Sequence, residues 1–143
     1  MNTHSNAPAW TTAAILVARL IFAAVFIMAC SFKYAGMQGT ADYIAAAGFP
    51  MPLVLAWLAA LFETALALCL LTGAYFTEAA LLAAAYVIFL AFAFHGPNRW
   101  EETNPTEFGF FIDHFTFMAG LLYAAVHGPG RVLAIRHSLL RHG

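Results

Sequence analysis

The sequence predicts an all-α integral membrane protein, a four-helix bundle forming a single domain over residues 1–143. Composition is the first reason: 63% of residues are hydrophobic and 9% charged, against about 25% charged in a soluble domain. Length of the apolar runs is the second. Four of them approach the roughly 20 residues that an α-helix needs to cross a bilayer core of about 30 Å. A formal net charge of -1 leaves no case for nucleic acid as a partner.

The first span runs from about Thr12 to Phe32 and carries Arg19. It lacks a small-residue cleavage site, so it is expected to remain as a span and not to be removed as a signal peptide. A connector from Lys33 to Met51 follows, in which Thr40–Ala47 suits a short interfacial helix stopped by Gly48, Phe49 and Pro50. Pro52 then falls in the first turn of the second span, Leu53–Thr72, where proline is tolerated. Glu63 lies near the middle of that span. Gly73 turns the chain into the third span, Tyr75–His95, and so short a link predicts antiparallel neighbours. Gly96–Pro105 is a polar loop rich in helix breakers. The fourth span, Glu107–His127, ends at Gly128, Pro129 and Gly130. In the tail, Arg131, Arg136 and Arg141 alternate with Val132, Leu133, Ile135, Leu139 and Leu140, which suits an amphipathic helix on a membrane surface.

Four spans bring both termini to one side. The tail holds three arginines, whereas the two loops of the opposite side hold Lys33 and Arg99, so the positive-inside rule assigns cytoplasmic termini. Cys30 and Cys69 form no C-x-x-C and are expected near opposite faces, which argues against a disulfide-exchange enzyme, since that needs a reactive pair at one level.

Helical rise converts position into depth. Glu63 comes out near the midplane, about 15 Å in, and Arg19 about 10 Å above the inner face. A midplane carboxylate costs about 2.5–3.5 kcal/mol unless it finds a partner. The arginine fork suits a carboxylate, so an Arg19–Glu63 ion pair is expected, either locking helices together or conducting protons. A second polar layer gathers higher, with Lys33 and His95 at the outer helix ends and Asp113 and His114 about 10 Å below the outer edge. Being adjacent, Asp113 and His114 point about 100° apart, so one faces the bundle and the other a neighbouring subunit. Most of the 14 phenylalanines suit core or lipid-facing positions, and Trp10, Tyr75 and Trp100 an interfacial belt.

Several chemistries compete for the outer layer. His95, Asp113 and His114 are acceptable metal ligands, but no H-E-x-x-H or similar spacing supports a metal site and none is assigned. His95 and His114 on two helices could clamp a haem. His95 also suits an ordinary polar position at a helix end. A quinone pocket asks for aromatic walls, donors at both ends and a proton-carrying group, which Phe and Tyr side chains, Lys33, His95 and Asp113 provide.

Short pieces along the chain fit one known pattern. They are Ala18-Arg19-Leu20, Phe32-Lys33-Tyr34 with Gly36, Tyr43, Gly48-Phe49-Pro50, and Glu63 followed by Leu70-Leu71-Thr72-Gly73. Phe94-His95, Gly120-Leu121-Leu122 and Gly128-Pro129-Gly130-Arg131 complete the series. In that order the chain resembles the DoxX family of small four-helix bacterial inner-membrane proteins from Ala18 to Arg131. Members of that family often carry Lys-Asn where this chain has Asp113-His114, a reversal of charge in the outer layer. The resemblance implies an inner-membrane location. Relatives include the membrane subunits of thiosulfate:quinone oxidoreductase, and others belong to thiol or superoxide stress systems.

The leading expectation is therefore a membrane subunit of a quinone-linked redox system. Lys33, His95 and His114 would bind quinone, Asp113 or His114 would carry protons, and Glu63 would act with Arg19. No flavin, haem c or iron–sulfur motif is present, so electrons would come from another membrane or periplasmic redox subunit, or across a homo-oligomer. The alternative from another class is a non-catalytic scaffold, for which the many Ala and Gly residues allow close helix packing. A small transporter ranks below both, because no internal repeat or broken helix pair is visible.

Overall fold

The computed structural model of the chain describes residues 8–101, 105–135 and 137–140. Among them run helices α1 (Ala9–Ala35), α2 (Met37–Ala46), α3 (Pro52–Thr72), α4 (Phe76–His95) and α5 (Thr106–His127), with a single 3₁₀ turn at Pro97–Arg99. α1, α3, α4 and α5 are each long and apolar enough to cross a membrane. The short helix foreseen after the first span is α2, which begins three residues earlier than Thr40.

Helix ends follow the breakers. Pro8 precedes α1, Pro52 opens α3, and Gly73 ends α3 with φ 80. A Cβ on Gly73 would stand 3.0 Å from Ala134 Cβ, so both the left-handed backbone and the space call for glycine.

Small residues make the core. Ala56, Ala60, Ala80, Ala83 and Ala91 are fully buried, while Leu58, Leu61, Leu68, Phe89 and Phe92 are exposed. In lipid the larger apolar side chains lose nothing by facing outward, and alanine lets helix backbones approach closely. The bundle is built as two pairs, α1 against α3 and α4 against α5, and α3 touches α4 much less. The short turn makes α3 and α4 consecutive, and Leu66, Ala67 and Leu70 share a core with Ala79, Ala80 and Ala83 near it, but their backbones approach less closely than those of the two pairs.

α2 determines where the polar groups meet. It folds back on α3, packing Ala41 and Ile44 against Ala56. The exit of α1 therefore lies level with the middle of α3, as the 2.9 Å contact between Tyr34 Oη and Thr64 Oγ1 shows. Arg19 is roughly 21 Å further down α1 than Lys33 by helical rise. It cannot reach Glu63, and the expected Arg19–Glu63 pair is replaced by two separate arrangements.

At the end of the bundle that carries the tail, the inner end on the expected orientation, Arg19 is buried and donates from Nη1 to Pro129 O and from Nη2 to Leu133 O, each at 2.8 Å. The tail is not a helix in its described part. Ile135 N donates to Thr72 O, and His137 O accepts from Tyr75 N. Glu78 Oε1 accepts from Ser138 Oγ, Leu139 N and Leu140 N. Those bonds to α3, α4 and their turn take the place of helical ones, after a break at Gly128, Pro129 and Gly130. Arg131, Leu133 and Leu139 remain exposed, so the segment keeps its mixed surface. Arg136 and Arg141 lie outside the described residues.

Arg19→Gln should free the tail, since each hydrogen bond to a charged group contributes about 1.5–3 kcal/mol. Trypsin in detergent should then cleave after Arg131 faster than in wild type. Equal cleavage rates would contradict the anchoring role.

Candidate functional site

The outer half of the bundle holds a buried charge and a cavity beside it. Glu63, 1% exposed, is met from both sides. Lys33 Nζ from α1 stands 2.9 Å from Oε2, and Tyr86 Oη from α4 donates to Oε1 at 2.8 Å. This is the partner that a carboxylate inside a membrane requires. Tyr86 also sets its ring edge-on to Phe62, with centroids 5.1 Å apart.

Higher up, His95 closes α4 and Glu107 opens α5 after a short loop. His95 Nδ1 and Glu107 Oε2 are 2.8 Å apart, and Trp100 Nε1 donates to His95 O at 2.9 Å. The loop is thereby pinned to the helix end. With Nδ1 engaged by a carboxylate, Nε2 is the nitrogen left to serve a ligand.

Lys33, Tyr86 and His95 line one cavity of about 500 Å³, together with Phe32, Gly36, Gly39, Tyr43, Phe94 and their neighbours. Tyr43 stacks on Phe94 at 5.1 Å with planes 15° apart, giving an aromatic wall. Burial, reinforced by the Glu107 carboxylate and opposed by Arg99, pushes the Tyr43 phenol above its usual range. The shift strengthens the hold on the hydroxyl proton, which a phenol keeps at neutral pH in any case. Lys33 spends one direction on Glu63, and an ammonium has three donors, so two remain for a ligand. The cavity offers cationic and neutral donors over an apolar floor, a combination suited to a flat carbonyl compound.

A cavity of about 520 Å³ also opens at the inner end, among Thr11, Thr77, Arg131, His137 and Ser138. Thr12 and His127 line it too, so its walls are the more polar of the two, but it lies away from the buried Lys33–Glu63 pair, which stands behind the outer cavity.

Of the residues singled out in the sequence, Lys33 and His95 line the outer cavity, and Glu63 sits behind it, bonded to two of its walls. His114 packs its ring 5.1 Å from that of His95, but its Nδ1 lies 2.7 Å from Phe110 O and it does not line the cavity. Asp113 is exposed on the outward face of α5. The structure does not bring it into the cluster. Among the described residues, no three of His, Cys, Asp and Glu converge as metal ligands would. Cys30 and Cys69 are free.

Two residues of the site escaped sequence reasoning, Tyr86 and Glu107. Each left a trace. A tyrosine within an apolar span needs a partner for its hydroxyl, and a carboxylate opening the fourth span faces the end of the third across one loop.

Comparison with known proteins bears on these elements. The sequence profile of the DoxX family matches residues 14–96, which takes in α2, α3, α4 and most of α1. Inner membrane protein YqjF of Escherichia coli (strain K12) is 34% identical over 119 residues, covering 81% of this chain and 85% of that protein. Inner membrane protein YphA of the same strain is 29% identical over 122 residues, covering 82% of this chain and 85% of its own. No solved structure gives a significant match.

Proposed function

Because this chain belongs to the DoxX family, whose relatives above are inner membrane proteins, we propose that it is an inner-membrane subunit of a quinone-linked redox system, with the outer cavity as its quinone site. The observation that supports this reading best is the convergence of Lys33, Tyr86 and His95 on one cavity with an aromatic wall. A bound quinone would supply an acceptor for two electrons and two protons, yielding the quinol.

The residues of the chain have distinct tasks. Lys33, fixed by Glu63, presents its free N–H groups to a carbonyl oxygen. His95, oriented by Glu107 through Nδ1, presents Nε2 to the ligand and passes protons there, accepting as the neutral imidazole and donating once protonated. Tyr86 holds Glu63 in place. The proton-carrying role that the sequence reading gave to Asp113 or His114 falls to His95 with Glu107 behind it, and His114 backs the His95 ring.

Electrons come from a partner redox protein, because the sequence carries no motif for a resident electron carrier. Asp113 supports the existence of such a contact. An exposed carboxylate within a span is costly against lipid, about 2.5–3.5 kcal/mol, so this face of α5 suits packing against another subunit. The same feature supports the scaffold reading, in which the chain only assembles a larger complex.

His95→Ala tests the two readings. Titrating a quinone analogue into protein in lipid nanodiscs should show affinity reduced by about tenfold, as expected for one lost hydrogen bond worth about 1–1.5 kcal/mol. Unchanged affinity would remove His95 from the site. Wild type that binds no quinone leaves the scaffold reading.

A further inference from the structure

The outer cavity does not end at its polar walls. A second space of about 300 Å³ adjoins it, and Ile44, Ala59, Tyr86, Leu90 and Phe94 line both. Apart from the Tyr86 hydroxyl, its side chains are apolar throughout. It lies where α3 and α4 fail to pack closely, and its lips include Leu58 and Phe89, both more than half exposed on the face that meets lipid. A gap between consecutive helices, floored by carbon and continuous with a polar chamber, has the shape of a channel from bilayer to site.

We infer that this groove between α3 and α4 takes the hydrocarbon chain of the ligand whose head occupies the outer cavity, and that the ligand reaches the cavity sideways from the bilayer. This deepens the quinone reading and rests on it: the substrate is a long-chain, lipid-soluble quinone and not a short water-soluble one. Continuity argues for that occupant, since one molecule with a polar head and an apolar chain satisfies both spaces at once. Glu63, Lys33 and Tyr86 close the inward side of the head chamber, so the chain leaves laterally past Ala59 and Leu90. Ala59 on α3 and Leu90 on α4 are common to the two cavities and mark the junction between them.

The test uses the full chain in nanodiscs of one synthetic phospholipid and two probes, a benzoquinone with no side chain and the same head with a decyl chain. Wild type should bind the decyl compound at least about tenfold tighter than the chainless one, reflecting burial of several methylenes. Leu58→Trp should obstruct the groove at its lip on α3 and remove most of that preference, while affinity for the chainless head stays as in wild type, because Leu58 lines the groove and not the head cavity. Phe89→Trp obstructs the same groove from its lip on α4 and should behave alike, which guards against a folding defect in one variant. Comparing each variant with wild type cancels partitioning of the probe into lipid. Equal binding of both probes by wild type, or an undiminished chain preference in both variants, overturns the groove assignment and leaves the head site standing. Failure of wild type to bind either probe overturns the quinone reading itself.

Discussion

Lys33→Met should destabilise the folded protein by about 3–5 kcal/mol, the usual cost of stripping one partner from a buried ion pair. Glu63, 2% exposed as a side chain, would lose its cationic partner and keep the Tyr86 hydroxyl as its remaining bonded one. The lower end of the range applies, because the Lys33 side chain retains 21% exposure and some of the pair's field is screened. Unfolding followed by circular dichroism in mixed micelles reads the effect. The double variant Lys33→Met with Glu63→Gln removes the stranded carboxylate and should recover most of the loss. A single variant as stable as wild type would mean that the pair does not hold the outer half together.

The second large effect is on binding with the fold kept. Gly39 lines the outer cavity from α2, and a Cβ built there meets nothing within 4 Å. Gly39→Phe therefore grows a ring into empty space and should abolish saturable quinone binding. Its helix gains about 0.5 kcal/mol from the change in propensity, so stability should hold or rise. A variant that folds and still binds with wild-type affinity would move the ligand out of this cavity. Together the two variants separate the pair's structural task from the cavity's binding task.

Much of the fold could be read from the chain because apolar length and helix breakers act locally. Pro52 and Gly73 mark the ends of α3, and Gly48 and Pro50 bound α2, each for reasons internal to a few residues. Pairing between helices is a different matter. Counting depth from assumed membrane faces brought Arg19 and Glu63 to similar levels. The count treated the connector as lying on the surface, whereas α2 packs beside α3 and lowers the exit of α1 to the level of Glu63. One misplaced origin exchanged the partners, and Lys33 took the place of Arg19.

The site shows the same division. Lys33 and His95 were identifiable because charged or ionisable groups at the ends of apolar spans have few places to go. Asp113 and His114 were assigned to the cluster on depth alone, and rotation about the helix axis decides such cases. About 100° per residue separates the half-buried His114 from the exposed Asp113. The tail misled for a related reason. Its alternation of arginine and apolar residues satisfies a surface helix, but the Glu78 carboxylate and the open backbone of the α3–α4 turn offer its N–H groups other acceptors.

The most direct measurement is mass spectrometry of the lipids that remain with the protein after extraction from bacterial membranes in a mild detergent. Wild type, Gly39→Phe and His95→Ala would be purified in parallel and their quinone content compared with protein content. Quinone retained near stoichiometry by wild type, absent from Gly39→Phe and reduced in His95→Ala is the expected result. Quinone missing from wild type, or present equally in wild type and Gly39→Phe, would contradict a quinone site in the outer cavity.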